Sequence, residues 1–180
     1  VVEGDHVVAR LAGLAEALAY DQVALVEQAV DGQEVETAVL GNENPEASPV
    51  GEIVPCNEFY DYNAKYIDER SELVIPARIA ASVAEEVRRM AVEAFRSLGC
   101  SGLSRVDFFV RRMDGAVLIN EINTLPGFTP ISMYPRLWAA AGLGFSALVD
   151  RLVQFALDRH HARRILRREF APAERAPGKR

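Results

Sequence analysis

Cysteine is scarce in this chain of 180 residues, which has only Cys56 and Cys100, far apart and without a CxxC pattern. That scarcity excludes a disulfide scaffold and predicts a reduced, cytoplasmic protein. No uninterrupted apolar run approaches the roughly 18 residues that a membrane-spanning helix requires. The first ten residues carry early acids and no apolar segment, so we expect no signal peptide. No internal repeat is visible.

The overall composition is that of a globular protein, with 49% apolar and 26% charged residues. The length suits one large domain or two small ones. The formal net charge of -6 makes most of the chain a poor candidate for nucleic-acid binding. Residues 159–180 differ, with eight Lys or Arg residues against two acids. We interpret them as a solvated helix end and a frayed terminus; a phosphate-binding arm is the alternative.

Hydrophobic spacing and turn residues predict an α+β fold, with α/β as the alternative, and a largely antiparallel sheet flanked by helices. A helical pattern over residues 6–19 has Asp5 as its capping residue. A longer amphipathic helix is expected over residues 79–98, and a last one over residues 143–159. Strands are expected at residues 23–28, 34–41, 50–55, 104–112 and 116–123, with loops at 42–49 and 123–130.

Residues 56–76 lack a clean hydrophobic period and combine aromatic residues, charges and Lys65. A long loop of this content inside a compact domain is usually functional. An ordinary loop that is packed by its own aromatic side chains is an equal alternative.

A β-hairpin is predicted around the turn at residues 113–115. Because side chains alternate between the two faces of a strand, each strand of the hairpin carries one partly polar face. These predicted faces hold Arg105, Asp107 and Phe109 on the first strand and Val117, Ile119, Glu121 and Asn123 on the second.

The length of the turn decides whether the two polar faces meet. A three-residue turn, with Gly115 in the left-handed conformation, pairs Arg112 with Ala116. In that register Asp107 lies opposite Glu121, and their Cβ atoms are about 5 Å apart.

The same register places Arg105 opposite Asn123, whereas a two-residue turn would place Asp107 opposite Ile122. Two opposed carboxylates require a neutralising partner. Asp107, Glu121 and Asn123 supply hard oxygen ligands that suit Mg²⁺, and Arg105 suits an anionic oxygen or a phosphate. A solvated surface cluster of charges is the alternative interpretation.

Four segments carry longer patterns. They are NEINTLPGFTPISMYPRLW (120–138), SGLSRVDFFV (101–110), FYDYNAKY (59–66) and VEQAVDGQEVETAVLGN (26–42). They resemble, in that order, the C-terminal signature of D-alanine–D-alanine ligases, the strand before it, the Ω-loop of that family and its adenine-hinge strand pair. Those ligases are ATP-grasp enzymes of peptidoglycan precursor synthesis. The resemblance runs in order over residues 7–157.

The resemblance implies ATP and two Mg²⁺ ions as cofactors, with Mn²⁺ as a substitute, and D-alanine as the substrate. The implied chemistry is acyl-phosphate formation on one D-alanine, followed by attack of the amine of a second. Implied metal ligands are Asp107, Glu121 and Asn123. Implied nucleotide contacts come from Glu27, Gln28, Ala29 and Val30 (adenine), Glu34 (ribose), Lys65 (terminal phosphate) and Asn120.

The implied catalytic residues are Arg105, Gly127, Lys65, Tyr66 and Ser132. Arg105 and the backbone N–H of Gly127 would stabilise the oxyanion of the tetrahedral intermediate. Ser132 would hold the carboxylate of the second D-alanine, and Tyr66 would close over the site and exclude water.

The family's glycine-rich phosphate loop and N-terminal domain have no counterpart before Val7. We therefore expect the chain to be the C-terminal portion of such a ligase and inactive alone. The expected organisation is a remnant of the central subdomain (1–58), a C-terminal ATP-grasp domain (59–160) and a basic tail (161–180).

The expected partners are ATP and D-alanine, with neither nucleic acid nor membrane, and the full-length enzyme is expected to be a cytoplasmic homodimer. A D-alanine–D-lactate or D-alanine–D-serine ligase is the nearest alternative. A non-catalytic nucleotide-binding half-domain and a Mg²⁺ phosphodiesterase are more distant ones.

Overall fold

The computed structural model describes residues 7–54 and 72–166. The chain divides into two compact units, Val1–Val30 and Asp31–Arg180. Most of the predicted functional loop at 56–76 lies outside the described residues.

The first unit contains helix α1, Val7–Ala17, which agrees with the predicted helix; Asp5, its predicted cap, lies outside the described residues. The strand predicted at residues 23–28 was wrong. These residues have no regular secondary structure, and their large apolar side chains are exposed. A strand needs a neighbour to pair its backbone N–H and C=O groups, and no described strand pairs with this segment.

The second unit is built on a six-stranded sheet in which all pairings between described strands are antiparallel. The strand order is β4-β3-β1-β5-β6, and the short β2 pairs with β1 outside this path. The strands are β1 (Gly32–Gly41), β2 (Glu46–Ala47), β3 (Gly51–Val54), β4 (Glu72–Val74), β5 (Gly102–Arg111) and β6 (Val117–Asn123).

Helices cover both faces of this sheet. Helix α2 (Ala81–Ser97) packs on one face, and α3 (Met133–Ala140) and α4 (Phe145–Arg164) pack on the other. The α2 core contains Val35, Val39, Val50, Val87, Ala91, Phe95, Val106, Phe108, Val110 and Val117. The α3/α4 core contains Ala38, Leu40, Ile53, Met133, Tyr134, Leu137, Trp138 and Leu148.

The predicted α+β fold with an antiparallel sheet is confirmed. Helix α2 lies within the predicted range 79–98, while α4 extends beyond residue 159 into the basic stretch. Three elements were not predicted: β2, β4 and α3. The first two are only two and three residues long and form by pairing with longer strands. Helix α3 carries Pro135 in its first turn, where proline is tolerated.

Among the described helices, none has both the length and the hydrophobicity to cross a membrane by itself. Only α3 and α4 taken together meet those criteria, and the chain bends by 105° between them.

An ion pair between a buried glutamate and an exposed arginine lies on the α2 side of the sheet. Glu52 on β3 is 7% exposed and pairs with Val35, a residue of the α2 core. Its carboxylate accepts hydrogen bonds from Nε and Nη2 of Arg78, at 3.0 and 3.2 Å, and one from the Arg78 backbone N–H at 3.1 Å. The side-chain hydrogen bond to Arg78 lowers the pKa of Glu52, against the opposing effect of burial.

We expect Glu52→Gln to destabilise the second unit by about 1–2 kcal/mol at about pH 7. Because the pKa of Glu52 is lowered in the folded state, its stabilisation is present above the ordinary Glu pKa and is lost as the pH falls. The difference in unfolding free energy between the two proteins should therefore shrink toward about pH 3. Urea unfolding at several pH values measures this, with Glu93→Gln, in an exposed ion pair on α2, as the matched control. A difference that grows on acidification would contradict it.

Candidate functional site

An arginine on β5 is surrounded by three carboxylates from three adjacent strands. Glu36 on β1 lies opposite Asp107 on β5, which lies opposite Glu121 on β6. Directly opposed residues of neighbouring strands point to the same face of a sheet. Glu36, Asp107 and Glu121 therefore form a line across the sheet, here named the carboxylate row. Arg105 shares their face, because it lies two residues before Asp107.

The guanidinium of Arg105 contacts the whole carboxylate row. Its Nε and Nη2 each donate a 2.7 Å hydrogen bond to Asp107, to Oδ1 and Oδ2 respectively. Arg105 Nε also lies 3.0 Å from Glu36 Oε2, and Nη2 lies 4.0 Å from Glu121 Oε1.

The carboxylate row is buried at its β1 end and open at its β6 end. Glu36 is 3% exposed, whereas the side chain of Glu121 is 50% exposed. Ala38 and Leu40, which share the face of Glu36 on β1, belong to the α3/α4 core. A ligand can therefore approach the row from the side of Glu121.

The charges of the row keep Arg105 protonated. Burial by itself lowers the pKa of Arg105, but the hydrogen bond to Asp107 and the negative charges of Glu36, Asp107 and Glu121 outweigh burial and raise this pKa. Among the described residues, the cluster combines three carboxylates with one guanidinium, and carboxylate oxygens are preferred ligands of hard cations.

The hairpin turn is one residue longer than predicted. The N–H of Arg111 donates to the carbonyl of Ala116 at 2.9 Å, where the prediction paired Arg112 with Ala116. Gly115 has φ of 72°, in the left-handed region, as predicted. The sequence thus indicated the turn and its glycine but not its length.

A β-bulge at Asn120 restores the predicted pairing beyond the turn. Phe108 pairs with Ile119, but Asp107 pairs with Glu121, so Asn120 is an extra residue on β6. The longer turn shifts the pairing of the two strands by one residue, and the bulge shifts it back by one residue. The predicted pairing of Asp107 with Glu121 is therefore confirmed, although the reason given for it was incomplete.

The bulge also corrects the predicted face of the first part of β6. Val117 and Ile119 were expected to share the face of Glu121. Val117 is instead buried in the α2 core, and Ile119 pairs with Phe108 of that same core. An extra residue in a strand inverts the alternation of faces beyond it.

Asn123 ends β6 opposite Arg105, as predicted. Its Oδ1 accepts a 3.1 Å hydrogen bond from the N–H of Leu125, which fixes the start of the next loop. A carbonyl oxygen has two lone pairs, so this turn leaves one for a second interaction. Asn120, the predicted nucleotide contact, is exposed on the bulge.

The loop after β6 brings Gly127 and Ser132 together. A Cβ atom on Gly127 would lie 3.0 Å from Ser132 Oγ. Ser132 Oγ accepts a 3.1 Å hydrogen bond from the N–H of Thr129 and lies 2.8 Å from Thr129 Oγ1. Phe128 anchors the loop, with its ring centroid 5.8 Å from that of Tyr134 in the α3/α4 core.

The predicted nucleotide residues are only partly placed. Glu34 lies on β1, two residues before Glu36 and on the same face. Residues 27–30 belong to the first unit, where 27–29 are exposed and without regular structure. Lys65 and Tyr66 lie outside the described residues, so their predicted roles stay predictions.

Glu36 was missed by the sequence reasoning. It is an acidic residue between Val35 and Thr37, inside the strand predicted at residues 34–41, and that position was the available signal. A charged residue at a buried strand position is usually paired. The β1–β5 pairing that identifies its partner involves residues about 70 positions apart, so sequence periodicity did not reveal it.

The donor atoms fit a hard divalent cation, but not in the present conformation. Within residues 7–54 and 72–166, no three His, Cys, Asp or Glu side chains are arranged to hold a metal ion. Both carboxylate oxygens of Asp107 are bonded to Arg105. Asp107 and Glu121 are nevertheless directly opposed, and the amide oxygen of Asn123 ends the same strand. Mg²⁺ prefers such oxygens, and its binding would require Asp107 to exchange a bond with Arg105.

Known proteins match this chain over most of its length. The family model described as D-ala D-ala ligase C-terminus matches residues 8–154. The D-alanine–D-alanine ligase of Chlorobium luteolum is 57% identical over 149 residues, which are 81% of this chain and 41% of the relative.

Solved structures agree. The D-alanine–D-alanine ligase of Coxiella burnetii matches with a TM-score of 0.78 and 38% identity, over 89% of this chain and 42% of that one. The VanG D-Ala:D-Ser ligase of Enterococcus faecalis matches with a TM-score of 0.74 and 37% identity, over 83% of this chain and 43% of that one. The Bacillus anthracis D-alanine–D-alanine ligase complexed with ATP matches with a TM-score of 0.72 and 28% identity, over 91% of this chain and 51% of that one.

The sheet, its flanking helices and these neighbours define the C-terminal lobe of an ATP-grasp protein. The described chain spans about two-fifths of the length of the curated relatives it matches. It belongs to the D-alanine–D-alanine ligase family, as the match to the family's C-terminal model shows.

Proposed function

We propose that this chain supplies the C-terminal catalytic part of an ATP-dependent ligase that joins two D-alanines for peptidoglycan synthesis. The observation that carries the proposal is the pairing of Asp107 with Glu121 around Arg105, in a chain that matches the ligase family from residue 8 to 154. The reaction needs positive charge beside the phosphate that is transferred. In this cluster Arg105 carries one positive charge, and the carboxylates would bind metal ions that carry more.

Asp107, Glu121 and Asn123 are the proposed metal ligands. Two Mg²⁺ ions bound there would neutralise phosphate charge. Arg105 would then turn its terminal N–H groups to the anionic oxygens of the reacting phosphate. The open β6 end of the row, where Glu121 is half exposed, gives these groups access to solvent.

The loop containing Gly127 and Ser132 is the proposed acceptor site. The adjacency of these two residues supports it, since one would donate a backbone N–H to an oxyanion and the other would bind the acceptor's carboxylate. The Phe128 anchor keeps the loop on the face of the sheet that carries the carboxylate row.

ATP is proposed to lie along the same face of β1. Glu34, on the face of Glu36, would bind the ribose, and residues 27–30 the adenine. Lys65 and Asn120 would approach the phosphates, and Tyr66 would close the site. The relative complexed with ATP supports the choice of nucleotide.

The whole enzyme is proposed to be a cytoplasmic homodimer. The scarcity of cysteine is consistent with a reducing compartment. The proposed organisation remains a central-subdomain part up to residue 58, a C-terminal domain to residue 160 and a basic tail.

A chimeric ligase tests the function. Residues 8–154 of this chain would replace the matching region of the Chlorobium luteolum ligase, whose own remainder completes the enzyme. We expect ATP-dependent formation of D-alanyl-D-alanine at an ordinary enzyme rate, on the order of 1–10³ per second. The Asp107→Ala chimera is the inactive control. A folded chimera with no activity above that control would contradict the proposal.

The acceptor is proposed to be D-alanine. Tyr66, beside Lys65 in the FYDYNAKY segment, matches the dipeptide-forming members of the family. The chimera should therefore prefer D-alanine over D-lactate at neutral pH, as competition between the two acceptors would measure. The similarity to a D-Ala:D-Ser ligase makes D-serine the second candidate, to be included in the same assay. Preferred use of D-lactate or D-serine would overturn this assignment.

A further inference from the structure

Glu36 is a buried carboxylate that the proposed reaction does not use. It is 3% exposed and lies on β1, on the opposite side of β5 from Glu121. Arg105 is a charged neighbour of Glu36, and its Nε lies 3.0 Å from Glu36 Oε2. Burial of a carboxylate is costly, so its retention beside Arg105 requires a reason.

Glu36 and Asp107 share one edge of the guanidinium. Nε donates a 2.7 Å hydrogen bond to Asp107 Oδ1 and also lies 3.0 Å from Glu36 Oε2, whereas Nη2 lies toward Asp107 and Glu121 on β5 and β6. When Asp107 serves a metal ion, Arg105 must give up at least one of its two bonds to that residue. A side chain that loses its bidentate partner regains rotational freedom, so it is less often oriented toward the phosphate.

We propose that Glu36 is a positioning residue that holds the Nε edge of Arg105 when Asp107 turns to the metal, so that the terminal N–H groups stay aimed at phosphate. This inference rests on the proposed function. Glu36 reaches Nε from the buried side of the row, so it can hold the guanidinium without occupying the open side. It neither touches substrate nor ligates metal in this role.

The chain offers a matched control in Glu52. Like Glu36, Glu52 is a buried glutamate on a strand of the same sheet and is paired with an arginine. It faces the α2 core instead, because it pairs with Val35. Glu36→Gln and Glu52→Gln each remove one buried charge, but only the first removes it from beside Arg105.

The first measurement uses the complete 180-residue chain. Mn²⁺ binding in the presence of ATP is followed by electron paramagnetic resonance, and thermal unfolding is recorded for each variant. In Glu36→Gln, Arg105 keeps the carboxylates of Asp107 and Glu121 as partners and should compete with the metal for Asp107. We expect Mn²⁺ affinity about 10-fold weaker than in the unmodified chain, and unchanged affinity in Glu52→Gln.

The second measurement uses the chimeric ligase. Glu36→Gln should lower kcat about 10–100-fold and leave the KM for D-alanine within about twofold, as expected for a residue that orients another. Glu36→Asp, which keeps the charge, should recover part of that rate. A merely structural role would lower the unfolding temperature and leave both Mn²⁺ affinity and kcat unchanged.

The outcomes separate the two proposals. If the unmodified chain binds Mn²⁺ with ATP and the chimera ligates D-alanine, but Glu36→Gln matches Glu52→Gln in both measurements, the role of Glu36 is overturned and the function stands. If the unmodified proteins show neither property, both proposals are overturned.

Discussion

Replacing Arg105 with alanine should lower the chimera's ligation rate about 10³-fold, because a fixed arginine beside a transferring phosphate accelerates the reaction by at least about that factor. The same change removes the guanidinium that lies beside all three carboxylates of the row. Removing one partner from a buried ion pair typically costs about 3–5 kcal/mol, and Glu36 and Asp107 are both buried. We therefore also expect a large loss of folding stability, measured by urea unfolding of the complete chain.

Magnesium distinguishes this explanation from simple loss of packing. In Arg105→Ala, Asp107 no longer gives both carboxylate oxygens to Arg105 and should bind Mg²⁺ more readily, so added Mg²⁺ should restore part of the lost stability. Arg89→Ala, which removes an exposed arginine from α2, is the control and should change stability by less than about 1 kcal/mol. An Arg105→Ala chimera with nearly normal activity would remove Arg105 from the proposed mechanism.

Glu121→Ala should lower the ligation rate about 100-fold, equivalent to roughly 3 kcal/mol of barrier. Because this side chain is half exposed, the change should leave folding stability nearly intact. Steady-state kinetics of the chimera at saturating ATP measure the first effect, and thermal unfolding measures the second.

Asp114→Ala is the matched control for that experiment. Asp114 is another acidic residue of the same hairpin, but it lies in the turn and pairs with Arg111. Its removal should leave the ligation rate within about twofold of the unmodified chimera. Equal rates for the two alanine variants would show that Glu121 is not a metal ligand.

The sequence predicted elements well where one side of the element is apolar at a regular period. Helix α2 follows this rule and was placed within two residues. Strand β1 was also placed within two residues, although both of its faces are buried. Strand 23–28 was predicted from an apolar run alone, which does not show whether a neighbouring strand exists. Burial and strand pairing depend on the rest of the fold, so the sequence of a short segment does not determine them.

The candidate site was predictable only where its residues are close together in the sequence. Asp107 and Glu121 belong to one hairpin, so a local turn brings them together, even though the turn and the bulge were both misjudged. Glu36 reaches the site through a pairing between distant strands, which no local pattern specifies. The roles of the loop residues came from resemblance to a known family, and local physics alone did not supply them.

The central claim is that the carboxylate row and Arg105 form the metal and phosphate site of a ligase. The most direct test is a crystal structure of the chimera with Mg²⁺ and a non-hydrolysable ATP analogue. We expect metal bound by Asp107, Glu121 and Asn123, with Arg105 turned toward the phosphates and still held by Glu36. Nucleotide bound elsewhere, with Arg105 keeping both bonds to Asp107 and no metal between Asp107 and Glu121, would contradict the account.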